Sequence, residues 1–310
     1  MKCSIVVLTY NSQLEKLFQT LKSILNQQNL HEIEIVVSDD GSKNNYFKEI
    51  ITFFKEHEFE NYKLISSEIN KGTVENFYAG VEAAKGEYIK GLGCGDLLFE
   101  SNTVTKVCTY MEENAEKIVF GLLKAFKIVD RELNYWDCTI PMDIKAFKKE
   151  NQNQIKRNIV AWGKLISGAS IFWEKNSLME LLNEIKGRVK YCEDYIQIIA
   201  LVKGIKISFY DENVVWYEMG EGISTSNSPI WQKRIKNDYD SLFMYMEQKY
   251  PDNEYVLKRV RKLRIGGYPK LIRGIIKFLI DPGMFFISVR TKLQQKRGYY
   301  FGKNVKGFLN

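Results

Sequence analysis

An α/β fold with a mostly parallel central sheet flanked by helices, followed by a basic helical C-terminal extension, is predicted by three observations. Over the first 125 residues, short apolar runs of strand length alternate with segments of helical periodicity. Each apolar run stops in small or polar residues of the turn-forming kind. The cations gather at the far end: residues 255–310 hold fourteen Lys or Arg against the single acid Asp281, or +13, which leaves −6 for the rest of the +7 chain. With 310 residues at 45% hydrophobic, the chain can bury a large core, and disorder throughout is excluded.

The elements follow in order. The run CSIVVLTY (3–10) reads as a strand, and a helix is expected from Ser12, where Ser12 and Glu15 form a capping box. Leu14, Leu17, Phe18, Leu21, Ile24 and Leu25 share one face of that helix. IEIVVSDD (33–40) reads as a second strand ending in paired carboxylates, and a helix is expected over about 45–57. Thr73 is the expected cap of the next helix, with Val74, Phe77, Tyr78, Val81 and Ala84 on its apolar face and Gly86 ending it before the strand EYIKGL. Strands separated by helices pair in parallel, because a hairpin turn cannot join them. No internal repeat or low-complexity segment interrupts the chain.

Composition excludes several functional classes. No stretch reaches the roughly 18 uncharged apolar residues of a spanning helix, and MKCSIVVLTYNS turns polar too early for a signal peptide, so a cytoplasmic location is expected. Cys3, Cys94, Cys108, Cys138 and Cys192 contain no C-x-x-C pair, which argues for reduced thiols rather than a zinc site. His31 and His57 lie in polar segments, so a histidine metal site or a Ser-His-Asp triad is not expected. Carboxylates must carry the chemistry. The basic block, with KRVRKLR at 258–264 and PKLIRGIIKFLIDPGMFFISVR at 269–290, has two readings: a segment lying on an anionic bilayer, or a solvated basic helix packed on the main domain. The acidic remainder gives no indication of nucleic-acid binding.

An open α/β sheet binds ligands at the carboxyl ends of its strands. Here these are Thr9-Tyr10-Asn11, Asp39-Asp40-Gly41-Ser42 and Cys94-Gly95-Asp96. DDGS also forms an Asx turn without any ligand. No glycine follows the first strand, and in G-x-G-x-G-D at 91–96 an aspartate stands where the third glycine of a dinucleotide fingerprint belongs. A carboxylate beside phosphate makes sense chiefly through a bridging divalent cation.

SIVVLTYN, IVVSDDGS and KGTVENFYAGVEAAKGEYIKGLGCGD, with SGASIFW at 167–173, YCEDY at 191–195 and YEMGEGISTS at 217–226, resemble a family 2 glycosyltransferase of the bacterial cell-surface polysaccharide type. The resemblance covers about 225 residues and implies the GT-A fold, a Rossmann-like sheet, over a domain 1–226, with a helical basic region over 227–310. It implies an inverting transferase that moves a sugar from a nucleotide-diphosphate donor, a UDP-sugar by preference, to an acceptor hydroxyl, with Mg2+ or Mn2+ as cofactor. The implied acceptor is a glycan or lipid-linked saccharide, and peripheral contact with the inner face of an anionic membrane is expected mainly from the basic tail. Thr9, Tyr10, Asn11, Asp39 and Asp40 are implied to line the donor pocket, Lys71 to reach the donor, and Gly95 and Asp96 to stand at the metal-binding motif, with Asp96 the metal ligand. Gly93 and Gly95 occupy positions that are often acidic in the family. The general base is assigned to Asp194, with Glu193 second. Trp173 reads either as a border of the acceptor site or as core, and Gly220 to Ser226 resembles the segment that closes over diphosphate, with Glu221 where relatives place a histidine ligand. The depleted metal motif leaves an alternative, a catalytically inactive module that binds nucleotide-sugar or glycan.

Overall fold

The structure is a computed structural model and describes residues 1–130, 132–137, 141–220, 228–297 and 302–303. Its first half runs β1 (Cys3–Thr9), α1 (Leu14–Leu25), β2 (Ile33–Asp39), α2 (Phe47–Glu56), β3 (Tyr62–Ser66), α3 (Thr73–Ala83), β4 (Tyr88–Gly93), β5 (Leu97–Leu98), α4 (Thr103–Glu113), β6 (Ile118–Val129) and β7 (Glu132–Asp137). It continues with α5 (Ile144–Lys148), α6 (Gln152–Lys156), β8 (Ile171–Glu174), α7 (Lys175–Ile185), α8 (Ile196–Val202) and β9 (Ser208–Glu218). The C-terminal part holds α9 (Pro229–Lys249), α10 (Glu254–Arg264), α11 (Lys270–Ile280) and α12 (Pro282–Arg297), with a short β10 (Gly302–Lys303).

The sheet order is β10-β7-β6-β8-β4-β1-β2-β3, and β9 pairs with both β5 and β6. β4, β1, β2 and β3 are parallel, while β8 joins β4 to β6 through antiparallel pairings. Thr9 lies opposite Asp39, Leu8 opposite Gly93 and Asp39 opposite Ser66, so all four parallel strands end at one level. That register brings the motif residues to one edge.

Strand alternation builds a core on each face of the sheet. Ile5, Val7, Ile35 and Val37 pack toward α1 and α4, against Leu17, Leu21 and Val107. Val6, Val36 and Ile89 pack on the other face with α3, α7 and α8, and α9 and α10 add Leu242, Phe243, Met246 and Val256 to the same cluster. Trp173 is buried in that cluster, which makes it core. Among the described residues, no helix is long and apolar enough to cross a membrane.

Two caps differ from expectation. α1 starts at Leu14 after Gln13 with no side-chain cap, because the Ser12 hydroxyl accepts the Tyr10 N–H instead. Thr73 is the first helical residue of α3, and Gly72 precedes it at φ +98°, where a β-carbon would sit 2.4 Å from Lys190. β3, not anticipated, is a half-buried edge strand. Gly86 admits the β1 backbone, since a β-carbon there would lie 2.3 Å from the Ser4 nitrogen.

Candidate active site

The edge is built first from the end of β2. Asp39 accepts four hydrogen bonds from within the chain: Thr9 Oγ1 (3.0 Å) and Ser42 Oγ (2.5 Å) on Oδ2, and the Ser42 N–H (2.9 Å) and Ser66 Oγ (3.2 Å) on Oδ1. A carboxylate offers about four lone-pair positions, so Asp39 is saturated and locks the ends of β1, β2 and β3 together. Asp40 faces the other way. Its Oδ2 accepts Asn70 Nδ2 (2.8 Å) and the Gly72 N–H (2.9 Å), and its Oδ1 accepts the Lys71 N–H (2.7 Å), which leaves one acceptor position on Oδ1. Lys71 contributes its backbone to this contact and its side chain is exposed. Asn11, at φ +46°, donates its N–H to Ser42 Oγ (2.7 Å) and accepts the Lys43 N–H (3.1 Å), while the Tyr10 ring is left 51% exposed above them.

The end of β4 forms a turn closed by the Asp96 N–H to the Gly93 carbonyl (3.1 Å), with Gly95 at φ +103° in the position that favours glycine. Asp96 is buried and accepts the Glu218 N–H at 3.0 Å, which ties the turn to the end of β9. Glu218 is the residue that sequence reasoning missed. Its Oε1 accepts Lys16 Nζ at 2.7 Å, and its buried Oε2 has no hydrogen-bond partner among the described residues. A β-carbon on Gly95 would lie 2.2 Å from that Oε2, so only glycine lets the two carboxylates approach. Burial pushes the Asp96 carboxyl up to about 7, against the Glu218 N–H and the charge of Lys90. Lys90, in mid-strand, is fully buried; it donates to the carbonyls of Gly91 (3.1 Å) and Ala169, and burial lowers its amine to about 7.

Among the described residues, no three His, Cys, Asp or Glu side chains gather as a metal cage. The unpartnered Glu218 Oε2 next to Asp96 nonetheless fits a hard divalent cation that takes most of its shell from diphosphate and water. Glu221 and the segment 221–227 lie outside the described residues.

Glu193 and Asp194 form a short 3-10 turn leading into α8. The turn is held on three sides. Asp238 of α9, buried, accepts the N–H groups of Lys190 (3.1 Å), Tyr191 (2.6 Å) and Cys192 (3.1 Å). Gln197, fully buried, donates to the carbonyls of Asp194 (2.8 Å) and Ile166 (3.0 Å) and accepts the Ile166 N–H (2.8 Å). Gly168 of the SGAS turn leaves room for the pair, since a β-carbon there would meet Glu193 Oε1 at 3.3 Å and Asp194 Cβ at 3.4 Å. Burial holds both carboxyls above the ordinary range, and the charge of Asp194 adds to the rise at Glu193. The Lys190 carbonyl accepts the Val74 N–H (3.1 Å). Asp40, the Asn70–Gly72 loop, the Lys190 turn and Glu193–Asp194 are thus one connected framework.

A mixed α/β sheet with carboxylates and open loops at the ends of its parallel strands defines an α/β protein that binds its ligand at that edge. The chain belongs to glycosyl transferase family 2, whose family profile matches residues 4–167, more than half of its length. An uncharacterised glycosyltransferase of Mycoplasma pneumoniae is 28% identical over 241 residues, covering 77% of this chain and 76% of the relative. Among solved structures, S. aureus TarS is similar with a TM-score of 0.59 at 18% identity, over 86% of this chain and 44% of that one. The 1–349 portion of TarS in complex with UDP-GlcNAc is similar with a TM-score of 0.54 at 15% identity, over 99% of this chain and 100% of that one. The fold is therefore the GT-A fold, with a helical C-terminal extension.

Proposed function

We propose that this family 2 chain is an inverting glycosyltransferase that moves a sugar from a nucleotide-diphosphate donor, a UDP-sugar by preference, to an acceptor hydroxyl in the assembly of a cell-surface polysaccharide or other glycan. The observation that carries the reading is the framework linking Asp40 to Glu193–Asp194, which fixes a donor-side acceptor and a raised-pKa carboxylate relative to each other. The complex of the related TarS portion with UDP-GlcNAc supports the donor class.

The exposed Tyr10 ring stacks on the nucleobase, and the remaining acceptor position of Asp40 takes an N–H or O–H of the nucleoside. Asp39 supports this pocket from behind. Asp194 removes the proton of the acceptor hydroxyl as its oxygen attacks the anomeric carbon from the face opposite the diphosphate. The anomeric C–O bond breaks, the nucleoside diphosphate leaves with the electron pair, and configuration inverts. Asp96 and Glu218 would hold Mg2+ or Mn2+ together with the donor, and the ion would supply charge neutralisation for the leaving diphosphate. A thermal-shift screen of nucleotide sugars with and without Mn2+ tests the reading. At least one UDP-sugar is expected to raise Tm, more strongly with metal; no shift with any nucleotide sugar would contradict it.

A further inference from the structure

The C-terminal hairpin of α11 and α12 is turned the wrong way for a helix pair in water. A surface helix normally buries its apolar stripe and exposes its charges. In α11 no residue is buried, and Leu271 and Leu279 are 77% and 71% exposed. At helical spacing, Leu271, Ile275 and Leu279 form one stripe, and Lys270, Arg273 and Lys277 lie on the opposite side. Lys277 is less exposed than the leucines, and burial is the first cause of its lowered amine pKa, followed by the charges of Arg273, Lys292 and Arg259. α12 continues the apolar surface with exposed Phe286, Val289 and Leu293, and Phe278 meets Phe286 at 5.9 Å between ring centroids. The hairpin is anchored to the body: Asp281 accepts Arg157 Nε (2.6 Å), Trp162 Nε1 (3.3 Å) and the Met284 N–H (3.1 Å), and Met284 packs on Ala161 and Trp162.

Between the hairpin and the body lies a cluster of cations. Lys262 is only 8% exposed, with Nζ 3.7 Å from the Trp162 ring centroid and 3.1 Å from the Ala161 carbonyl. Arg259 donates to the Trp162 carbonyl at 3.1 Å, and its buried Nε has no hydrogen-bond partner among the described residues. Lys164 and Lys277 complete the group; the charges of Arg259, Lys277 and Lys164 act on Lys262 in one direction, and Asp281 opposes them with a smaller effect. Among the described residues, none of these four makes an ion pair with a carboxylate. Asp281, the only acid of the segment, is already engaged by Arg157, Trp162 and Met284. Like charges gathered around a buried lysine call for an anion, and an outward apolar stripe calls for a medium other than water.

We infer that the α11–α12 hairpin docks the protein on an anionic phospholipid surface, its apolar stripe entering the acyl boundary and the Lys164–Arg259–Lys262–Lys277 cluster receiving lipid phosphate. Charge complementarity selects this occupant, since a second copy would bring the same cations to the same place. The inference is independent of sugar transfer, because binding is read with no donor present.

The test is co-sedimentation of the full chain with vesicles of phosphatidylcholine containing 30% phosphatidylglycerol, about a third of the lipid as anionic headgroup. Binding is expected to these vesicles and to be lost on pure phosphatidylcholine. The exposed-residue variant Leu271→Asn/Leu279→Asn is expected to bind about tenfold more weakly at unchanged Tm. Lys277→Glu is expected to bind at least about fivefold more weakly, with a smaller dependence on salt. Soluble glycerol phosphate at millimolar concentration should not displace the protein. Displacement by glycerol phosphate, equal binding of the leucine variant, or a dimer in light scattering that the leucine variant abolishes without vesicle binding would each overturn the inference.

Discussion

The carboxyl edge of the sheet and the C-terminal hairpin treat buried charge in opposite ways. At the edge, Asp39, Asp40 and Asp238 each take several donors from the chain itself, and what is left open among the described residues is an acceptor position on Asp40 and the oxygen Glu218 Oε2. In the hairpin, cations face one another with one acid that is already engaged elsewhere. Buried polar groups are normally satisfied, so the groups left over mark where something outside the chain belongs. The edge keeps a few openings in a finished framework, whereas the hairpin remains open over a whole face.

The largest effect is expected where the framework is finished. Asp39→Ala removes the shared acceptor of buried Thr9, half-buried Ser42 and exposed Ser66, and a loss of about 3 kcal/mol or more in urea unfolding is expected. A loss below about 1 kcal/mol would mean that Asp39 is not the lock described here. Next in size is Gly95→Ala. It combines a strained φ with a clash against Glu218 and should cost about 1–3 kcal/mol, with weaker Mn2+-dependent donor binding in calorimetry. Unchanged metal dependence would separate Glu218 from the cation site.

The pH dependence is a gentler probe of the same edge. Burial raises the Asp194 pKa, so the carboxyl stays protonated, and unable to accept a proton, up to a higher pH than a free aspartate. kcat/KM should therefore fall as pH drops through a midpoint above the ordinary value of about 3.9. The same shift acts on stability in the opposite direction: its contribution is present below the unfolded pKa and is lost as pH rises through the folded one. A rate profile that shows no fall from about pH 8 down to about pH 5 would count against a buried carboxylate base. The smallest effect belongs to the hairpin. Leu271→Asn should change unfolding free energy by no more than about 0.5 kcal/mol, because the side chain touches little within the molecule. A larger loss would mean that the stripe is covered.

The alternation of strand and helix was readable because β1, β2 and β4 are buried on both faces and therefore write continuous apolar runs. β3 was not, since an edge strand of intermediate burial carries no such run. Ser12 and Thr73 looked like caps, but the Tyr10 N–H claimed the Ser12 hydroxyl and close packing on Lys190 placed Gly72 at the cap of α3. The motif residues were legible because each follows a strand and the parallel register brings strand ends together. Glu218 closes a strand as well, and its position at the end of NVVWYE was a usable signal. Asp238 and Gln197 left no local trace, because an acid or amide on a helix reads as solvated until the fold shows which backbone it faces.

The most direct test compares wild type with Asp194→Asn in single turnover with a UDP-sugar, Mn2+ and a saccharide acceptor. Donor affinity nearly unchanged in calorimetry and transfer slower by about a hundredfold or more are expected for Asp194→Asn. Transfer by Asp194→Asn at the wild-type rate would contradict Asp194 as the general base.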